Sequence, residues 1–295
     1  MKPSSQHALA QALKAVACVA ITWGASAARA DTPPPYPWLN APPAGTIESR
    51  VAAPPGWNRL PAAPGSFAAW LRSLPVKPGR PEVHLFNGKA KWNQEAHFAV
   101  LEVDTGRRDL QQCADAVMRL RAEFQRQAGQ ENDICFRFTD GTEARWSGWK
   151  EGLRPKLSGR RMTWEKRAHA DASYPSFRRY LDIIFGYAET ESLARELDRV
   201  PEPRRIEAGD VFIQGGSPGH AVIVVDVAED AGGRRAVLLA QSYMPAQDIH
   251  VLRKPEAPDN PWYIIEGDGP LATPEWDFPA GSLRRFSEAG CPKKH

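Results

Sequence analysis

Cysteine is scarce, with 4 in 295 residues, so the core of this chain must be built from apolar side chains and not from a disulfide framework. Beyond the first thirty residues no apolar run is long enough to span a bilayer, which excludes a membrane-spanning helix there. An excess of one charge is also missing. The full chain has 38 Lys+Arg against 35 Asp+Glu, and residues 1–30 hold Lys2, Lys14 and Arg29 with no acid, so the remainder balances at 35 against 35. That excludes the electrostatic footprint of a nucleic-acid or anionic-membrane binder. Closely spaced metal ligands and internal repeats are absent as well, and no metal or cofactor is expected.

What is present begins with a leader. Lys2 and Lys14 flank or precede an apolar stretch, residues 15–27, which ends in Ala28-Arg29-Ala30. This is the pattern of a secretory signal cleaved after Ala30, and it predicts a periplasmic or secreted protein. Cys18 lacks a lipidation box. Residues 31–46 are a Pro-rich tether, residues 47–286 a single domain with an insertion at about 140–205, and residues 287–295 a tail. Three cysteines follow the leader: Cys113, Cys135 and Cys291. In an oxidising compartment an odd count predicts one bridge and one free thiol, or three thiols. Cys135 with Cys291 leaves Cys113 free. Cys113 with Cys135 is the alternative, and it would remove the chemistry described below.

Residues 209–247 organise the chain. Three short apolar runs, 211–214, 220–227 and 236–243, are separated by Gly215-Gly216-Ser217-Pro218-Gly219 and by Asp230-Ala231-Gly232-Gly233. Their lengths and bounding turns predict an antiparallel meander, with the middle strand buried on both faces because it barely alternates. Elsewhere the pattern predicts strands at 47–51, 82–86, 97–103 and 134–138, a hairpin turn at Asn87-Gly88, and edge strands at 249–252 and 262–265. It predicts helices at 67–74 with Ser66 as cap, at 177–185, and at 191–197 with Thr190 as cap. The strongest helix covers 109–127, with Asp109 as N-cap and Gln112 at the third position. Residues 142–172 carry no clear period.

Polar residues collect at the ends of these elements. Cys113 falls in the first turn of the 109–127 helix, where free N–H groups and the helix dipole favour a thiolate. His220 opens the central strand directly behind the glycine loop, and the hairpin brings Gln241 back beside it. A cysteine, a base and a residue that orients the base are the parts of a covalent acyl-transfer site, with first-turn N–H groups available to an oxyanion. Gly216, Ser217, Gly219 and Tyr243 are the candidate substrate contacts. Other polar residues are weaker candidates. His84, His97 and Glu95 lack tight ligand spacing, His250 is an ordinary polar residue, and Asp210 is a turn residue. Trp92, Trp146, Trp149, Trp164, Trp262 and Trp276 fit a core better than a saccharide groove.

The segments RDLQQCADAVMRLRAEF, SFRRYLDIIFGYAETESL, GDVFIQGGSPGHAVIVVDV and LLAQSYMPAQDIHVL resemble a family of exported bacterial proteins known as a domain of unknown function, over about residues 47–286. The order of Cys113 on a helix, His220 opening a strand after a glycine turn, and Gln241 on the next strand is similar to the papain-like cell-wall hydrolases of the NlpC type. Here Ala-Asp-Ala follows Cys113 where that family has Ser-Gly, and about a hundred residues separate Cys from His. This second resemblance implies an α+β fold in which an antiparallel meander sheet packs on the capped helix, forming a papain-like core with a long insertion. It implies a cysteine hydrolase acting on an amide or ester bond, with peptidoglycan-type peptide as substrate. The competing expectation is a non-catalytic periplasmic binding or envelope-interaction module.

Overall fold

Val and Ile crowd the middle of the meander, and the computed structural model puts that run at the centre of the molecule. The structure describes residues 36–254, 256–287 and 291. The expected leader, Cys18 and the first residues of the tether lie outside them. The described residues fall in one compact unit, residues 34–295.

The chain opens with α1 (Ile47–Arg50), β1 (Trp57–Arg59), α2 (Phe67–Arg72), β2 (His97–Val100) and α3 (Cys113–Gln127). The hairpin β3 (Cys135–Arg137) and β4 (Glu143–Arg145), α4 (Trp146–Lys150), and the hairpin β5 (Leu153–Ser158) and β6 (Arg161–Lys166) come next. Then follow α5 (Tyr174–Tyr187), α6 (Thr190–Glu196) and β7 (Asp198–Arg199). The meander is β8 (Val211–Gln214), β9 (His220–Asp230) and β10 (Arg235–Gln241). The last elements are β11 (His250–Leu252), β12 (Tyr263–Ile265), β13 (Leu271–Ala272), β14 (Asp277–Phe278) and β15 (Leu283–Arg285).

The main antiparallel sheet runs β2-β11-β10-β9-β8-β15-β7, with β1 also pairing β9 and β12 also pairing β10. This is an α+β architecture. As expected from its lack of alternation, β9 is buried on both faces. Ala221, Ile223 and Val225 join the large core with Val117, Leu120 and Phe124 of α3. Val222, Val224 and Val227 join a second core with Phe212, Leu239, Leu252 and Phe278. Each such side chain withdrawn from water stabilises the fold by about 1.5–3 kcal/mol. Among the described residues no helix is long and apolar enough to cross a membrane.

Several expected elements differ. Residues 47–51 form a helical turn and not a strand, because Thr46 accepts the Ser49 N–H and caps α1. The 82–86 segment is reduced to single bridges, His84 to Ala90 and Leu85 to Gln247, around the expected Asn87-Gly88 turn. Asp109 is not a helix cap. Its carboxylate accepts the Ala246 N–H at 2.7 Å and the Gln112 amide at 3.0 Å, so α3 starts four residues later, at Cys113, behind Gln112. Glu189, not Thr190, precedes α6. β11 is an interior strand, not an edge. The unassigned residues 142–172 supply β4, α4 and the β5–β6 hairpin. Trp146 and Trp149 pack there against Tyr180.

Cys135 and Cys291, 156 positions apart in the chain, form a disulfide with Cα atoms 5.0 Å apart, and among the described residues Cys113 is the free cysteine. The bridge ties the tail to β3. Its reduction, or Cys291→Ser, is expected to lower stability by about 2–4 kcal/mol in urea denaturation. Identical midpoints with and without reductant would show that the tail contributes nothing.

Candidate functional site

The site forms where the N-terminus of α3 meets the start of β9. With Asp109 occupied elsewhere, Cys113 is the first residue of α3 and is partly exposed. The backbone N–H groups of Ala114 and of Ala221, the neighbour of His220, favour the thiolate. They are outweighed. Burial, and then the Asp115 carboxyl in the same turn, push the thiol up to about 11. The activation expected from the helix end alone is therefore overturned: desolvation exceeds the dipole here. Asp115 is itself buried, accepts the Gln112 N–H at 3.0 Å, and is driven well above the ordinary carboxylate range by that burial.

Behind His220, the loop is shaped by glycine. Gly216 has φ +116°, a region that favours glycine, and a Cβ on Gly219 would collide with the Gly216 carbonyl and with Thr190 Oγ1. Thr190 also donates to the Gly216 carbonyl at 3.2 Å, which holds the loop on α6. Gly216 and Ser217 are exposed, whereas Gly219 is enclosed by its neighbours.

The His220 ring is buried under Tyr243, Trp276 and Phe278, with ring centroids at 4.8, 5.3 and 5.8 Å. Burial pushes its pKa down to about 4, against the opposing pull of its hydrogen bond to Gln241. That bond joins His220 Nε2 to Gln241 Oε1 at 2.7 Å. The amide oxygen only accepts, so Nε2 carries the hydrogen and Nδ1 the lone pair. The other end of the same amide donates to Glu275 Oε2 at 2.8 Å and approaches His250 Nε2 at 3.4 Å. Glu275 is ion-paired with the buried Lys91, takes a long contact from Asn93 Nδ2 at 3.4 Å, and its carbonyl accepts from Tyr243 Oη at 3.4 Å. Tyr243 senses the Cys113 charge while its ring lies on His220, which places Cys113, His220 and Tyr243 in one neighbourhood.

Cys113, His220, Gln241 and Tyr243, four residues read from the sequence, thus gather at one place. Glu275 and Lys91, which carry no sequence signal, complete the cluster with Trp276 and His250, which the sequence offers only as a core tryptophan and an ordinary polar residue. The other histidine candidates do not converge. His97 Nε2 bonds the Pro81 carbonyl at 2.9 Å, His84 lies near Glu82 and Asp248, and Glu95 pairs with Arg253. Among the described residues the group of ligand-type side chains close enough to hold an ion is Cys135, Glu143 and Cys291, and both of its sulfurs are in the disulfide. Asp210 is a turn residue as expected, accepting the Glu207 N–H and pairing with Arg285. Trp146, Trp149 and Trp262 are core, while Trp92 is 89% exposed. A cavity of about 500 Å³, lined by Trp38, Lys77, Glu102, Asp104 and Asp248 among others, does not include Cys113 or His220.

Residues 47–285 match the family described as domain of unknown function 4846. The chain belongs to that family. The match covers all of the sheet, α3 and the cluster around His220. No curated protein and no solved structure matches the chain.

Proposed function

We propose that this chain is an exported cysteine hydrolase with a papain-like, NlpC-type site, acting on an amide or ester bond of a cell-wall peptide. One observation carries the reading. Gln241 takes the Nε2–H of His220, which leaves a lone pair on Nδ1, while the backbone N–H of the very next residue, Ala221, is among the groups that favour the Cys113 thiolate. A thiol beside a neutral imidazole with a free lone pair is a nucleophile beside its base.

In the proposed reaction the Cys113 sulfur attacks the carbonyl carbon as its proton passes to His220 Nδ1. First-turn N–H groups of α3 face the developing oxyanion. The imidazolium returns the proton to the leaving amine or alcohol as the bond to the carbonyl carbon breaks, giving a thioester. Water then attacks the thioester, losing its proton to Nδ1, and the sulfur leaves and regains that proton. The loop at Gly216 and Ser217, and Tyr243, border the place the substrate would take. The choice of peptidoglycan peptide rests on the predicted export and on fold analogy.

The test needs no natural substrate. His220 loses its proton near pH 4 and Cys113 near pH 11, so over the whole range between the resting pair is a thiol and a neutral imidazole. Little thiolate exists there, and acylation of the sulfur depends on a base that takes the thiol proton as it reacts. Acylation of Cys113 by a simple activated ester at about pH 7, read by mass spectrometry, is therefore expected to fall about a hundredfold or more in His220→Ala. Equal acylation rates in the two proteins would sink the hydrolase reading and leave a binding module.

A further inference from the structure

We infer that Glu275 and His250 are positioning residues: they hold the Gln241 amide with its oxygen toward His220 and so keep the His220 proton on Nε2. The inference rests on the hydrolase reading for its consequence, but its geometry stands apart from it. An amide side chain has two ends that are nearly alike in shape and opposite in hydrogen-bonding sense. Flipped, Gln241 would present N–H to His220 Nε2, the ring would carry its hydrogen on Nδ1, and no lone pair would remain for the Cys113 thiol.

Two acceptors prevent the flip. Glu275 Oε2 lies 2.8 Å from Gln241 Nε2, and a carboxylate offers nothing to an amide oxygen. His250 Nε2 lies 3.4 Å from the same nitrogen. His250 Nδ1 donates to the Asp248 carbonyl at 2.9 Å, so its Nε2 is the lone-pair nitrogen. The donor direction then runs one way, from His220 through Gln241 to Glu275, and from Gln241 through His250 to Asp248. Lys91 pairs with Glu275 in this buried setting, the two side chains being 2% and 6% exposed. Glu275 reaches the site from the segment between β13 and β14, and Trp276 beside it covers the His220 ring.

The experiment reads the His220 tautomer directly, by two-bond ¹H–¹⁵N correlation on ¹⁵N-histidine-labelled protein, with Cys113 acylation by the activated ester measured alongside. Wild type is expected to show the Nε2–H tautomer between about pH 5 and about pH 8. An Nδ1–H tautomer in wild type overturns the inference. Glu275→Gln retains an acceptor oxygen and is expected to keep the Nε2–H form. The double variant Lys91→Met, Glu275→Leu removes the acceptor without leaving a buried charge unpaired. It is expected to shift His220 toward Nδ1–H and to lower the rate of Cys113 acylation by about tenfold or more. A folded double variant with an unchanged tautomer and unchanged acylation overturns the inference. A tautomer that shifts while wild type and His220→Ala acylate at the same rate supports the positioning role and removes the hydrolase reading instead.

Discussion

Cys113→Ser is expected, on the proposed hydrolase reading, to abolish hydrolysis, with a loss of about 10⁴-fold or more in kcat. The hydroxyl is a far weaker acid than the thiol, and the base available to it, His220, has been pushed down to about 4 by burial. Such a base can relay a proton from a thiol, whose soft sulfur needs little thiolate to react, but it cannot activate an alcohol to a comparable degree. The substitution leaves the Ala114 and Ala221 N–H groups facing an acceptor of similar shape, so the melting temperature should stay within about 2 °C. The measurement is acyl transfer from peptidoglycan fragments and from simple ester and amide probes, by wild type and variant under identical conditions. Equal turnover by the two would remove Cys113 from the reaction. Absence of turnover by wild type on every acyl probe, together with equal Cys113 acylation in wild type and His220→Ala, would favour the binding module.

Asp226→Ala should unfold the protein more easily than any substitution in the site, by about 3–5 kcal/mol in urea denaturation. Asp226 lies on β9, fully buried, in the middle of the sheet. Its carboxylate accepts from Arg59 Nε at 2.6 Å and from Arg72 Nε at 2.9 Å, and it also takes the Val227 N–H at 2.9 Å. Arg59 belongs to β1 and Arg72 to α2, so one acid fastens two N-terminal elements to the central strand. Both guanidiniums are largely covered, with side chains 18% and 12% exposed. Deleting the acid leaves two desolvated cations facing each other, which costs more than the net worth of the pairs. Asp226→Asn keeps the acceptor and loses only the charge, so its cost should be smaller. A loss below about 1 kcal/mol for Asp226→Ala would mean that water or relaxation compensates both cations.

The meander was legible because its signals are local. Runs 211–214, 220–227 and 236–243, with glycine turns between them, anticipate β8, β9 and β10 to within a few residues. The helices α5 and α6 were legible for the same reason, with errors of a residue or more at their starts. The turn at α1 was not, because four residues are too few to express a period and the deciding bond comes from the cap, Thr46. Asp109 failed as a predicted cap because its carboxylate is claimed by Ala246, 137 residues away. The thiolate expected at Cys113 failed because a dipole at a helix end is a local quantity, whereas burial is set by everything that packs on it.

Taken alone, the amino-acid order determined the α+β class, the meander, and the elements bearing Cys113, His220 and Gln241, because hydrophobic period and turn chemistry act over a few residues. Tertiary structure alone decided that Cys135 pairs with Cys291, that the thiol of Cys113 is raised and not lowered, and that Glu275 and His250 meet the Gln241 amide. Those outcomes depend on desolvation and on contacts between segments far apart in the chain, and neither leaves a trace in the spacing of residues.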